Sequence, residues 1–314
     1  MRFYVGVTDN AWFEFLAERR PDEVNFWQPS DTRSFRTIAP GAPFLFKLHS
    51  PLNYVVGGGF LVRHSTLPLS FAWEAFGEKN GAAHYATFAQ SIQGYRARMG
   101  RDYHPDPSIG CIILGEPFFL DEADWIPVPS DWSRSIVQGK TYDTAEAVGA
   151  ALWAQVRAAM VAADAKAAAE RRSLVVAEEG ARYGAEYLVH PRLGQGGFRV
   201  VVTEAYQRRC AVTGERVLPV LEAAHIKPYG ESGPHRVDNG ILLRADLHAL
   251  FDRGYMTVTP EMRVEVSRRI HDDYDNGEEY LAMHGQRLVA LPAQEAERPS
   301  AEFVRWHNEQ RYLG

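Results

Sequence analysis

At 314 residues, with 46% hydrophobic and 24% charged side chains, the chain has an ordinary globular composition and is long enough for two domains. A formal net charge of −6 excludes the strongly basic class whose charge alone advertises nucleic-acid binding. It does not exclude a phosphate-bearing substrate, because acidic and basic residues nearly balance over 186–253. The cysteines Cys111 and Cys210 lie far apart, which argues against a disulfide framework and against a structural zinc.

In chain order, residues 1–138 read as the first domain, mostly β. "RFYVGVTD", "PFLFKLHS", "NYVVGGGFLV" and "IGCIILGEPFFL" are β-branched and aromatic runs bounded by Gly, Pro and Asn, as strands are. "FAWEAFGEKN" and "YATFAQSIQGYRARMG" have helical spacing, so the whole predicts a compact, partly closed barrel with inserted helices. Residues 139–184 form a helical linker, Ala-rich over 143–172. Asp143 with Glu146 predicts a capping box, and Val148, Leu152, Val156 and Met160 fall at the spacing of a packed face. The second half of that helix reads as an exposed spacer.

Residues 185–314 form the second domain. "GFRVVVTEAYQRR" predicts a helix, with a strand as the alternative because of its three valines. "VLPVLEAAHI" is a strand, "HRVDNGILL" a loop entering a second strand, and "RADLHALFDRG" a helix closed by Gly254. A hairpin follows over "YMTVTP" and "RVEVSRR", then a last helix, "SAEFVRWHNEQRYL", capped by Ser300. No apolar run is long enough to span a membrane, and no basic start with an apolar core marks a leader, so a cytoplasmic location is expected.

The chemistry concentrates in the ββα stretch. His225 ends a short apolar strand, where a neutral imidazole can deprotonate water. His248 and Asp252 are four apart, share one helix face and can hold one divalent ion. Asn239 lies between them in sequence and can bond across the loop to fix the histidine. Lys227 and Arg244 are candidate phosphate contacts. His235 reads as exposed and incidental; in "WHNE" (306–309), Trp306 reads as packing and the rest as surface.

Residues 208–254, with AHIxP, then DNG, then LHxLFDxG, resemble an HNH nuclease domain of the ββα-metal class. The resemblance implies His225 as general base, Asn239 as the middle asparagine and His248 as the helix metal ligand, with a divalent metal, Mg2+ first and Mn2+ or another ion as substitute. Many relatives carry an Asp just before the base, where this chain has Ala224; Asp252 or Glu222 would compensate. They also carry paired CxxC motifs, of which only Cys210 remains, so no zinc ribbon is expected.

The segment "NFWQPS…F…IAPGAPFLFKLHSPLNYVVGGGFL" is similar to the PUA-like superfamily, including EVE and YTH domains. That resemblance implies an α+β protein whose first barrel holds a flipped, modified base in an aromatic cage. Trp27 leads the cage candidates, with Tyr54, Trp73 and Phe26 behind it. The combined expectation is a modification-dependent DNA endonuclease acting on double-stranded DNA, with a homodimer as the way two single-strand cuts become a double-strand break. The rivals are an HNH nuclease acting on RNA or on another defence signal, and a binding protein whose ββα unit is dead because of Ala224.

Overall fold

The structure, a computed structural model, describes residues 1–30, 35–172 and 193–314. The stretch where the linker was expected to give way to the second domain, at 184–185, lies outside the described residues. The chain divides into two compact units of mixed α and β structure, Met1–Arg192 and Leu193–Gly314. Among the described residues no helix is long and apolar enough to cross a membrane.

Unit 1 begins with β1 (Arg2–Thr8), α1 (Asn10–Arg19), β2 (Glu23–Gln28), β3 (Pro43–Leu48) and β4 (Tyr54–Pro68). It continues through α2 (Leu69–Phe76), α3 (Tyr85–Arg98), β5 (Ser108–Phe119), β6 (Ile126–Pro127), β7 (Gly139–Asp143) and α4 (Ala147–Arg172). The strands form one seven-stranded sheet in the order β2-β5-β4-β3-β1-β7, with β6 added alongside β4. Among the described residues only β1 and β3 run parallel. Among the described residues β2 and β7 do not pair, so the expected barrel is instead an open sheet. Register shifts at Gly58/Phe60 and Leu61/Arg63 interrupt the long β4, the kind of irregularity that bends a strand. The GGG run lies at these close approaches: a Cβ on Gly57 would stand 2.3 Å from the Phe118 carbonyl oxygen.

α1 starts where Asp9 accepts the N–H groups of Ala11 and Trp12, at 2.9 and 3.3 Å. Its Trp12 packs edge-on against Phe26 and Phe46, 5.5 and 5.2 Å between centroids. In α4, Leu152, Val156 and Met160 are buried as the spacing predicts, joined by Trp153 against Phe3. Val148 is 38% exposed, one turn before that face becomes covered. The expected capping box is replaced: the Asp143 carboxylate takes the N–H of Ala145 at 3.0 Å and the Met1 amine at 3.2 Å.

Unit 2 runs α5 (Gln195–Ala205), β8 (Leu221–His225), β9 (Gly240–Arg244), α6 (Ala245–Asp252), β10 (Met256–Val258), β11 (Val264–Val266), α7 (Arg269–Tyr274), α8 (Glu278–Leu281) and α9 (Ala301–Gln310). The three valines of α5 belong to a helix: Val200, Val201 and Val202 are all buried, beside Phe198. β8 and β9 are an antiparallel pair, and β10 and β11 a second one. One apolar cluster joins α5, both strand pairs, α6 through Leu247 and Phe251, and α9 through Phe303 and Val304. Ser300 caps α9 by accepting the N–H of Glu302 at 3.3 Å. Cys210 belongs to this core and accepts the Thr213 N–H at 3.4 Å.

Candidate active site

β9 passes directly into α6 through Arg244 and Ala245, so the helix folds back on the β8–β9 pair. Leu247 and Phe251 are its buried anchors, and Gly254, with φ of +79°, ends it. α5 packs on the same pair. A Cβ on Gly240 would meet the Val202 side chain at 2.4 Å and the Phe198 ring at 3.0 Å, so the glycine of the DNG run is required for space. This close packing lays the Phe198 ring flat on the His225 imidazole, 3.8 Å between centroids and 11° from parallel.

His225 ends β8, opposite Gly240. Burial, then the neighbouring His235 and His248, push its pKa down to about 4, with Asp252 opposing. The ring is therefore neutral near pH 7 and has a lone pair to offer. Asn239 is wholly buried, and its role differs from the one anticipated. It does not hold the imidazole itself. Its side chain accepts the Lys227 N–H at 2.9 Å and donates to the carbonyls of Lys227 and Pro234 at 3.0 and 2.9 Å. Both ends of the strap from 227 to 234 are thus tied down.

Past that strap comes a residue the sequence reading dismissed. His235 is half-buried, and its Nδ1 lies 2.9 Å from His225 Nε2. Tyr229, from the strap, stacks on the His235 ring at 4.4 Å and 10°. Only the strap's closure brings these rings together, so sequence spacing carried no signal for them.

His248, on α6, stands between two carboxylates. Its Nδ1 is 2.6 Å from Glu222 Oε2, and its Nε2 is 3.3 Å from Asp252 Oδ2. Burial works against the charged ring, but the hydrogen bonds and charges of Asp252 and Glu222 hold its pKa above the usual imidazole value. Burial likewise opposes the Asp252 carboxylate, and His248 holds it below its ordinary range. Glu222 and Asp252 therefore both meet His248, from opposite ends of the ring. Ala224 is wholly buried in the apolar core, so an acid at that position would be buried there too.

A cavity of about 530 Å³ opens on these groups. Glu222, His225, His248 and Asp252 line it, together with Arg199, Tyr229, His307 and Arg311. Arg311 is ion-paired with Glu231. His307 corrects the surface reading of "WHNE": it is 2% exposed, stacked on Phe251 at 3.8 Å, with Nε2 donating to the Phe251 carbonyl at 3.1 Å. Burial pushes it down to about 4. Neither candidate phosphate contact lines the cavity. Lys227 lies over the Trp306 ring at 5.6 Å, while Arg244 is held by Asp246 through two bonds of 2.8 and 2.6 Å.

Among the described residues no three His, Cys, Asp or Glu side chains converge as ready-made metal ligands. The donor chemistry of His248, Glu222 and Asp252 nevertheless fits a divalent ion: one imidazole and two carboxylates on one cavity. An ion would take a ring nitrogen now engaged by a carboxylate.

In unit 1 the expected cage residues separate. Trp27 meets Phe88 and Tyr95 edge-on, and its Nε1 donates to the Asn80 carbonyl at 3.0 Å. Trp73 reaches the same Phe88 at 6.0 Å. Phe26 packs on the other side of β2 with Trp12, Phe44 and Phe46, and Tyr54 packs on Trp125.

Residues 210–259, which carry β8, β9, α6 and β10, match the family described as HNH endonuclease. No curated protein matches the chain. Among solved structures, ASCH from Zymomonas mobilis is 10% identical with a TM-score of 0.31, over 45% of this chain and 85% of its own. A point mutant of that ASCH protein gives the same score and identity, over 45% and 88%. A structure titled "Modification dependent TagI restriction endonuclease" is 13% identical with a TM-score of 0.28, over 93% of this chain and 76% of its own. None of these scores reaches the level at which a shared fold follows.

Proposed function

We propose that the protein is a metal-dependent endonuclease that hydrolyses double-stranded DNA carrying a modified base. The observation that carries the catalytic half is the position of His225. A neutral imidazole, braced on Phe198, faces the same cavity as the Glu222–His248–Asp252 cluster, within a segment that matches the HNH endonuclease family. His225 takes a proton from water, the water oxygen forms the new bond to phosphorus, and the sugar oxygen leaves with the electron pair of its broken bond and takes a proton from solvent. His248 and Asp252 would hold the divalent ion, Mg2+ or in its place Mn2+, with Glu222 keeping the ring oriented through the shorter contact. That ion supplies positive charge for the phosphate and the leaving oxygen. Arg199 and Arg311 line the cavity as the cationic side chains nearest to hand for the DNA backbone. The two carboxylates that meet His248, Glu222 and Asp252, speak against the catalytically dead reading, because they can supply the acid that Ala224 lacks.

The recognition half rests on the PUA-like sequence pattern of unit 1. Trp27 and Trp73, both against Phe88, are the pair we assign to the base pocket, whereas Tyr54 and Phe26 are engaged elsewhere. Cleavage of three matched DNAs, unmodified, 5-methylcytosine and 5-hydroxymethylcytosine, tests this half. Cutting confined to one modified DNA is the expected result. Equal cutting of all three would remove both marks as triggers.

A further inference from the structure

His235 belongs to no element of the ββα pattern, yet it is the only group hydrogen-bonded to the His225 ring among the described residues. Two proton arrangements satisfy the 2.9 Å contact between His225 Nε2 and His235 Nδ1. If His235 donates, His225 carries its own hydrogen on Nδ1 and has no lone pair left for water. If His225 donates, its Nε2 bears the hydrogen and Nδ1 is the free base. Only the second arrangement leaves a catalytic base.

We propose that His235 is a positioning residue: its Nδ1 accepts the Nε2–H of His225, fixes the base as that tautomer and leaves Nδ1 to take the proton from water. This inference rests on the nuclease reading above. The surroundings support it by geometry. Tyr229 stacks on His235 and Phe198 stacks on His225, so both rings are fixed in plane. The strap that carries Tyr229 and leads into His235 is tied at both ends by the Asn239 side chain. When His225 gains a proton on Nδ1, its Nε2–H still points at His235, and that bond strengthens because the donor is now charged. Asn239 thus acts on the base at one remove, by holding the strap that delivers its acceptor.

Two substitutions separate the acceptor from the ring. His235→Phe keeps an aromatic ring for Tyr229 and removes the acceptor; His235→Asn places an amide oxygen near the position of Nδ1. The readouts, on the full chain, are single-turnover cleavage of DNA with Mg2+ and the ring 15N resonances of His225, which report the tautomer directly. We expect His225 as the Nε2–H form in the native protein. The Phe variant should lose about 10- to 100-fold in the cleavage rate with KM unchanged, as such orienting contacts do elsewhere, and the Asn variant should recover most of it. A Phe variant as fast as the native protein, or a native His225 protonated on Nδ1, would overturn the proposal. If no DNA is cut by any form, the nuclease reading fails, and the tautomer still decides. An Nε2–H form lost in the Phe variant and kept in the Asn variant supports His235 as the acceptor; one unchanged in the Phe variant removes it.

Discussion

His225 and His307 are both buried imidazoles pushed down to about 4, and the consequences differ by what each can reach. For His225 the base form persists far into acid, so single-turnover cleavage at saturating Mg2+, where the ion outcompetes protons for the His248 ring, should hold its rate from about pH 8 down to about pH 5. An unperturbed histidine would lose half of its base form near pH 6.5; a rate falling through that value would contradict the assignment. His307 enters through stability. Its folded pKa lies below its unfolded one, so its contribution is complete above about pH 6.5 and is lost as pH falls toward about 4. His248, with its raised value, carries the opposite sign and contributes at low pH. Thermal melts of the full chain should show the acid limb flattened in His307→Gln. Asn239→Ala tests the strap: it leaves the Lys227 N–H and two carbonyls without their partner, and should cost about 1–3 kcal/mol in denaturant unfolding. Cleavage should fall with it. A variant with native stability would show that the clamp is dispensable.

At the scale of elements, the contact between α5 and the β8–β9 pair decides whether His225 has its platform. Gly240→Ala puts a methyl group 2.4 Å from Val202 and 3.0 Å from the Phe198 ring, two buried side chains of α5. We expect a loss of about 1–3 kcal/mol of stability by overpacking, with cleavage lost more steeply because Phe198 moves with α5. Stability within error of the native protein would show that the helix can give way. The elements that sequence made legible are those whose pattern is local: the apolar runs of β1, β3, β4 and β5, the ββα spacing, and the Ser300 cap. α1 escaped notice although Asp9 caps it, because its buried Trp12, Phe13 and Leu16 sit in a nearly continuous apolar run with Ala11, Phe15 and Ala17, which leaves little periodic contrast. That omission carried over to β2. Phe26 and Trp27 do face opposite sides of β2, with α1 against Phe26 and α3 meeting Trp27 edge-on, and Trp27 stays partly exposed. His235 and His307 were illegible for the same reason in reverse: their partners, His225 and Phe251, lie 10 and 56 residues away, and only the fold supplies them.

For the whole molecule, the proposed function pairs a reader of modified DNA in unit 1 with a hydrolytic centre in unit 2, and the hydrolytic centre is the part on which the rest depends. The most direct measurement is cleavage of DNA by the full chain with Mg2+, by the same chain with a chelator added, and by His225→Ala with Mg2+. The substrate pool should include modified DNA, so that a silent trigger is not mistaken for a silent site. The account predicts cutting by the native protein alone, a loss of at least about 100-fold in the variant, and an unchanged melting curve apart from the lost Phe198 stack. Full cutting by His225→Ala would place the base elsewhere and contradict the central claim, whichever DNA is the substrate.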